Sequence, residues 1–459
     1  MTPHSKPRPV PVRHPDAPIV AAAAAAGIGR KPYRAGASRV RATRVRALAP
    51  AFALLAACAP FAARAQAQAT QAPPGFGWGV GETVEHDSNL ERLPGGNPTP
   101  PADTLKTTSI TGSFDDTYSR EELSARATIG RVNYVRPADH QFDYTAEDIE
   151  GALTSNLAYD IDLALKASRT AALAHFADIS TPTRDVIDTK HLSGNLAFPL
   201  VADFRGVADG DRIQTRNSGG TFQTQNLDTT GVDAGIRYEP TTGNEVDLVA
   251  RTVLGVYPDG TPSALISPGY RDKGADLRAD WTFSGASRLQ GRLGYVKRSN
   301  DELLYPVNGQ VRELNRDFAG PVADLTYLWQ ITAATQLSFF AQRLTGAAGD
   351  NNYLSSVNKT LRITPNYKPT AKITLQAYAD WTRRDYFTNV IQALNVEAGL
   401  PPGSGGRVDY NHSYDASISW TPRRWLLGSV ELRRELRDST VENYSFTNNI
   451  IILSLQGSF

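Results

Sequence analysis

The chain has 459 residues, with 48 Lys/Arg, 47 Asp/Glu, one cysteine and one methionine. The charge is unevenly placed: residues 1–65 hold eleven Lys/Arg and one Asp, leaving 37 basic against 46 acidic residues downstream. A basic leader before an acidic body argues for export and against nucleic-acid binding, and the single Cys58 inside that leader excludes disulfide and thiol chemistry from the body.

Residues 1–38 are rich in Pro, Ala and Arg and include a run from Ala21 to Ala26. They carry no pattern able to form a core, and read as a disordered extension or a translation start placed too far upstream. Residues 39–65 read as a signal peptide. Arg39, Arg41, Arg44 and Arg46 form its basic end, Ala47 to Ala57 its apolar segment, and Ala63-Arg64-Ala65 a small-x-small cleavage site before Gln66. The apolar segment is shorter than the ~20 residues that a transmembrane helix needs. Leu55-Ala56-Ala57-Cys58 matches a lipobox that would lipidate Cys58, but the later cleavage site favours ordinary processing. Residues 66–75 then form a short periplasmic tail.

Beyond residue 75 no window reaches 18 consecutive apolar residues, so no transmembrane helix is expected. Alternating segments recur instead, long enough for the ~9–11 residues with which a tilted strand crosses a bilayer. In 371–385, Ile373, Leu375, Ala377, Ala379 and Trp381 share one face, and Lys372, Thr374, Gln376 and Asp380 the other. In 226–239, Val232, Ala234, Ile236 and Tyr238 oppose Asp233, Gly235 and Arg237. In 275–283, Leu277, Ala279, Trp281 and Phe283 oppose Asp276, Arg278, Asp280 and Thr282.

The connections sort by length. Short turns are predicted near Ser119, Asp160 and Val201 and at 239–244, 284–287, 330–334, 368–370 and 421–424. Longer polar loops fall at 88–103, 176–187, 215–225, 258–269, 303–314, 386–406 and 438–444, with briefer ones near 137–140 and 348–353. Short turns at one end and long loops at the other are how outer-membrane hairpins are built. These breaks give strands near 76–87, 104–117, 121–135, 142–158, 161–175, 188–199, 203–214, 226–239 and 244–257. They continue at 270–283, 287–301, 315–329, 335–347, 354–368, 371–385, 407–421, 424–437 and 445–459. The expected fold class is all-β: a transmembrane antiparallel up-and-down β-barrel of about 18 strands, outer-membrane type, over 76–459. The expected location is the outer membrane of a Gram-negative cell, in contact with its lipid and lipopolysaccharide.

The segment from Tyr444 reads YSFTNNIIILSLQGSF. It places Ile451, Leu453, Leu455 and Phe459 on one face and Asn448, Ser454, Gln456 and Ser458 on the other. This pattern resembles the C-terminal strand of outer-membrane barrels. The resemblance implies that Leu453, Leu455 and Phe459 belong to a strand that closes the barrel and is read by the barrel-assembly machinery. Trp281, Trp329, Tyr367, Trp420 and Trp425 lie near short turns, where an aromatic girdle meets the headgroups.

With the apolar face toward lipid, the other face lines the lumen. It would present Asp233, Arg237, Asp247, Arg251, Asp276, Arg278, Asp280, Arg288, Arg292, Asp324, Arg362, Asp380, Asp415, Glu431 and Arg433. The signs are mixed, unlike the biased lining of a strongly ion-selective pore. Such a lining suits a hydrated carbohydrate or salt bridges that brace the wall. Eighteen strands leave room for an open or a plugged channel.

No catalytic residue, metal or cofactor is predicted. His86, His140, His175, His191 and His412 show no metal-ligand spacing, and no Ser sits in a G-x-S-x-G turn. Asp115-Asp116 and Asp139-His140 are sequence neighbours, which point to opposite faces of a strand.

Three stretches carry a more specific resemblance. FGWGVGETVEHDSNLERLP ends its strand in His86-Asp87-Ser88-Asn89-Leu90. RDFAGPVADLTYLWQITAATQLSFFAQR (316–343) contains an R-x-F-x-G segment before a hairpin from Trp329 through Thr332 and Thr335 to Leu337. Trp381-Thr382-Arg383-Arg384-Asp385-Tyr386 follows on a later strand. In this order they resemble the exosortase-associated exopolysaccharide outer-membrane barrels, the EpsL-like family, over roughly 76–459. The resemblance implies passage or anchoring of an exopolysaccharide at the outer membrane, with periplasmic export partners, and it supplies no catalytic residue. The alternatives are a general or solute-specific diffusion porin and a plugged anchoring barrel.

Overall fold

The computed structural model describes residues 75–95, 100–178, 182–260, 268–302, 304–307, 310–313, 317–347, 353–389 and 406–459. The predicted extension, signal peptide, Cys58, nearly all of the periplasmic tail and most of loop 386–406 lie outside these residues.

Alternating sequence and short turns produce consecutive antiparallel hairpins. The wall begins with β1 (Gly75–Asp87), β2 (Asp103–Tyr118), β3 (Glu121–Tyr134), β4 (Tyr144–Leu157) and β5 (Ile161–Leu173). It continues with β6 (Val186–Val201), β7 (Phe204–Asn217), β8 (Leu227–Tyr238), β9 (Glu245–Val256), β10 (Gly269–Ser284) and β11 (Ser287–Asn300). After β12 (Leu304–Val307) and β13 (Gln310–Glu313) come β14 (Phe318–Gln330), β15 (Thr335–Ala347), β16 (Tyr353–Thr370) and β17 (Ile373–Asn389). β18 (Val408–Arg423), β19 (Leu426–Ser439) and β20 (Phe446–Ser458) complete it.

β1 pairs antiparallel with both β2 and β20, so an 18-stranded sheet closes on itself. β12 and β13 stand apart as a separate hairpin, and β11 pairs directly with β14. This corrects the expectation of a plain loop at 303–314. The sequence Val307-Asn308-Gly309-Gln310 carries the Asn-Gly turn signal that favours a hairpin. The predicted strands are all found, with ends displaced by a few residues.

The two-residue repeat separates inside from outside. On β20, Ile450 and Ile452 are 1% and 5% exposed, whereas Ile451 and Leu453 are 45% and 50% exposed. Phe76, Ile110, Leu248, Leu361 and Ile418 lie on the same outward side as Leu453. An apolar exterior this continuous exceeds the patches that a water-soluble monomer tolerates, and lipid is its natural solvent. Closure lets every stave satisfy its backbone groups within the ladder, as a hydrocarbon surround requires. Trp329, Tyr367, Trp420 and Trp425 are exposed near the short turns, and Trp281 is half-buried there.

The short turns bend hard. Ser119 (φ 58°), Tyr159 (φ 62°), Asp160 (φ 56°) and Ala202 (φ 48°) adopt left-handed backbone that non-glycine residues rarely take. At the same end Phe459 fastens the seam. Its N–H donates to the Trp78 carbonyl at 2.7 Å, and the Trp78 N–H donates to the Phe459 carbonyl at 2.9 Å. Its ring stacks on Trp78, with centroids 4.6 Å apart, and on Trp425 at 5.9 Å.

Candidate functional site

The inner face is built from cross-strand ion pairs. Side chains directly opposite on one face of a sheet meet, so strand register decides which charges pair. Arg237 faces Asp247, Arg251 faces Asp233, Arg292 faces Asp324, Arg362 faces Asp380 and Arg433 faces Asp415. Arg237 grips Asp247 through Nε at 2.8 Å and Nη2 at 3.0 Å. Arg251 reaches Asp233 at 3.7 Å, Arg292 reaches Asp324 at 3.3 Å, and Arg433 reaches Asp415 at 3.4 Å. Arg433 also pairs closely with Glu431. Arg362 meets Asp380 at 2.7 Å, and Arg288 donates from Nε to Asp280 Oδ1 at 2.6 Å.

Arg278 shows which side is concave. From β10 it reaches over β9 to Asp233 on β8 and, at 2.8 Å, to Asp209 on β7. Asp276, 3.7 Å from Arg278 and 3.9 Å from Arg292, links these pairs into one network. Ten of the fifteen residues named from the sequence thus occupy one wall from β8 to β14, while Arg362 and Asp380 form a separate pair on β16–β17. Asp415, Glu431 and Arg433 form a third group on β18–β19. The side chains of Asp233, Asp247, Asp276 and Arg278 are nearly inaccessible because their partners overlie them. Buried pairs of this kind cost more to break than to replace whole, about 3–5 kcal/mol when one partner is removed.

Three further pairings were missed by the sequence reading. Arg298 grips Asp272 with two contacts of 2.6 Å and lies 3.4 Å over the Tyr270 ring. Arg407 holds Asp409 at 2.6 Å and lies between Tyr444, 3.5 Å from its ring, and Tyr386, at 4.7 Å. Arg205 on β7 meets Asp162 on β5 at 3.0 Å. Arg298 faces Asp272 across β10–β11, Arg407 and Asp409 are two residues apart in the chain, and Arg205 and Asp162 have β6 between them; an Arg and an Asp on one face were the available signal.

At the long-loop end, three loops fold together. Leu90, Phe142 and Phe176, from three successive loops, pack with Val132, Tyr134, Tyr144 and Ala146 on the strands below. Phe142 sits 5.0 Å from Phe176 and 5.9 Å from Tyr134, centroid to centroid. The first loop is pinned by the residues that carry the family resemblance. Asp87 Oδ1 accepts the Asn89 N–H at 2.9 Å, and Asp87 Oδ2 accepts from Arg92 Nη1 at 2.8 Å. Asn89 Nδ2 donates to the Thr447 carbonyl at 3.1 Å, and Arg92 reaches Glu435 at 3.1 Å. Burial opposes the charge on Arg92, but Asp87 and Glu435 outweigh it and hold the guanidinium pKa above its ordinary value.

Beyond these contacts, Arg437 Nη1 on β19 donates to the Ala177 carbonyl at 2.7 Å, with β4, β3, β2, β1 and β20 standing between the two around the wall. A second loop contact involves Asp185, which accepts the Gly219 N–H at 2.8 Å. Burial pushes the Asp185 carboxyl above the usual carboxylate range. Asp139 is held by Arg136, Nε to Oδ2 at 2.7 Å and Nη2 to Oδ1 at 2.8 Å, so the Asp139-His140 pair serves a loop. Asp115 and Asp116 sit next to the β2–β3 turn, and no contact joins them to a basic partner among the described residues. Among the described residues, no group of three or more His, Cys, Asp or Glu could hold a metal.

No family model matches the chain, and no curated protein matches it. Solved structures with a similar shape include OpdK from Pseudomonas aeruginosa, crystallised with vanillate, at 10% identity and TM-score 0.44, covering 84% of this chain and 99% of that one. OccK2 (OpdF) from the same organism covers 84% of this chain and 98% of its own, at 10% identity and TM-score 0.45. A BenF-like porin from Pseudomonas fluorescens Pf-5 gives 10% identity and TM-score 0.44, covering 84% and 98%.

Proposed function

We propose that the chain is a narrow, loop-gated channel of the outer membrane that passes small hydrophilic solutes. The carrying observation is the Arg437–Ala177 contact, which ties the loop after β5 to β19, five staves away. A lumen whose Arg and Asp side chains are engaged with one another offers polar surface without a strong bias in sign, and suits modest, weakly ion-selective flux. Reconstitution of the full chain in planar bilayers tests this reading. Small, gated conductance steps support it, and the absence of any conductance across the voltage range overturns it.

The second reading is exopolysaccharide passage, with lumen-lining residues contacting the polymer and periplasmic partners driving it. The observation in its favour is that Asp87, Ser88, Asn89 and Leu90, which carry the resemblance, help to build the mouth. A hydrated polymer would need the loops to withdraw. Comparing cell-surface with periplasmic carbohydrate in a deletion strain separates the two: retention inside with loss at the surface favours export, and unchanged partitioning favours the solute channel.

A further inference from the structure

The outer face of β14–β18 carries a row of three cations that share a single carboxylate among the described residues. Arg343 on β15, Lys359 on β16 and Arg383 on β17 lie directly opposite one another in register. Like charges in this position repel, and a sheet gains nothing by lining them up unless an anion joins them. Among the described residues one carboxylate reaches the row: Asp385 is 2.7 Å from Arg383 and 3.4 Å from Lys359. Arg343 donates to the Pro321 carbonyl and, at 3.2 Å, to the Thr345 hydroxyl. Three cations thus share one carboxylate, so the row keeps an excess of positive charge on the lipid-facing side, whereas the inward Arg362 of the same wall has Asp380 to itself.

Immediately toward the membrane lies an open groove of about 490 Å³, with Leu325, Ala341, Leu361 and Trp381 among its lining residues and the three cations at its rim. Leu361 is 59% exposed in this apolar band. The cations stand on the long-loop side, where the band ends. Charge and shape together call for a ligand with anionic groups at one end and acyl chains at the other.

We propose that this groove binds one phosphorylated, acylated glycolipid of the outer leaflet, with a phosphate on Arg343, Lys359 and Arg383 and an acyl chain along Leu361 and Trp381. The occupant rests on the outer-membrane orientation given above, because only there does the long-loop side meet such a lipid. A guanidinium beside an ammonium suits a phosphate, and the apolar channel suits its chain.

The test is native mass spectrometry of the full chain in detergent, titrated with purified lipid A. The expected result is a retained one-to-one adduct, weakened at least tenfold in an R343Q/K359Q/R383Q variant. Unchanged heat-modifiable migration of that variant shows that it folds, as expected for side chains on the outer surface of the wall. Equal binding by the variant, equal competition by phosphatidylcholine, or binding of inorganic phosphate with no lipid adduct would each overturn the proposal. Equal competition by phosphatidylglycerol would overturn the glycolipid assignment. The readout does not depend on conductance, so failure of the channel reading and failure of this one are separately visible.

Discussion

Arg437 and Ala177 are 260 residues apart in sequence, yet Arg437 Nη1 on β19 donates at 2.7 Å to the Ala177 carbonyl in the loop after β5, with five staves between them around the wall. The same guanidinium donates from Nε to Asn411 Oδ1 at 2.8 Å and lies 5.1 Å from the Phe446 ring, so it is already positioned by its own wall before it captures the loop. A fixed arginine holding a loop carbonyl is a latch, and its removal has a defined sign.

Replacing Arg437 with Gln deletes a charge-assisted hydrogen bond worth about 1.5–3 kcal/mol. The loop is then expected to leave the mouth more often, with the open fraction rising about tenfold, the equivalent of 1.4 kcal/mol. Single-channel recording reads this as longer open times, and an unaltered open fraction would separate the contact from gating.

Arg278 holds Asp209, Asp233 and Asp276 together. Arg278→Met leaves three carboxylates facing one another in a place where water scarcely reaches them. The expected cost is about 3–5 kcal/mol. Urea unfolding in lipid, followed by tryptophan fluorescence, should show it as a lowered midpoint. Adding Asp233→Leu should recover part of the loss, because the whole pair is cheaper to remove than one half of it.

Phe459 bridges Trp78 and Trp425 at the girdle. Two aromatic contacts of about 0.5–1.5 kcal/mol each are lost in Phe459→Ala. The folded form, which migrates faster than the heated form on a detergent gel, should convert at a lower temperature. Phe459→Tyr should keep the stack and stay near the original value.

Asp185 provides a pH test outside the strands. Burial raises its carboxyl pKa above the unfolded value. A carboxyl raised in this way favours the folded form where it is protonated. Its contribution is therefore full below the unfolded pKa and is lost as pH rises through the folded one. Asp185→Asn keeps an acceptor for the Gly219 N–H and removes the titration. Thermal unfolding at neutral pH should occur at a higher temperature in the variant, with the gap closing toward acid; a gap that is constant with pH would refute the assignment.

The strands are legible in the sequence because a repeat of two leaves little freedom in register. Once Leu375, Ala377 and Ala379 face lipid, Gln376 and Asp380 must face inward. The inner ion pairs are legible as residue types but not as partners, since Arg251 meets Asp233 only when the β8–β9 register is fixed. The packing of Phe142 on Phe176 joins separate loops, and no local pattern announces it. The row of Arg343, Lys359 and Arg383 also escapes a strand-by-strand reading, because each residue alone is an ordinary interfacial cation.

The β1–β20 junction also governs when the molecule can form. Every other neighbour in the wall is the next stave along the chain, so hairpin after hairpin can grow through short-range contacts. Thr83 and Ser454, 371 residues apart, meet only across this junction, their hydroxyls 3.0 Å apart. By the logarithmic scaling of loop entropy, bringing such distant segments together costs roughly 5 kcal/mol. Until β20 arrives, β1 presents a bare ladder edge able to recruit any strand nearby. Whatever shields that edge during biogenesis, rather than the strength of the finished wall, sets the yield of correctly threaded barrels.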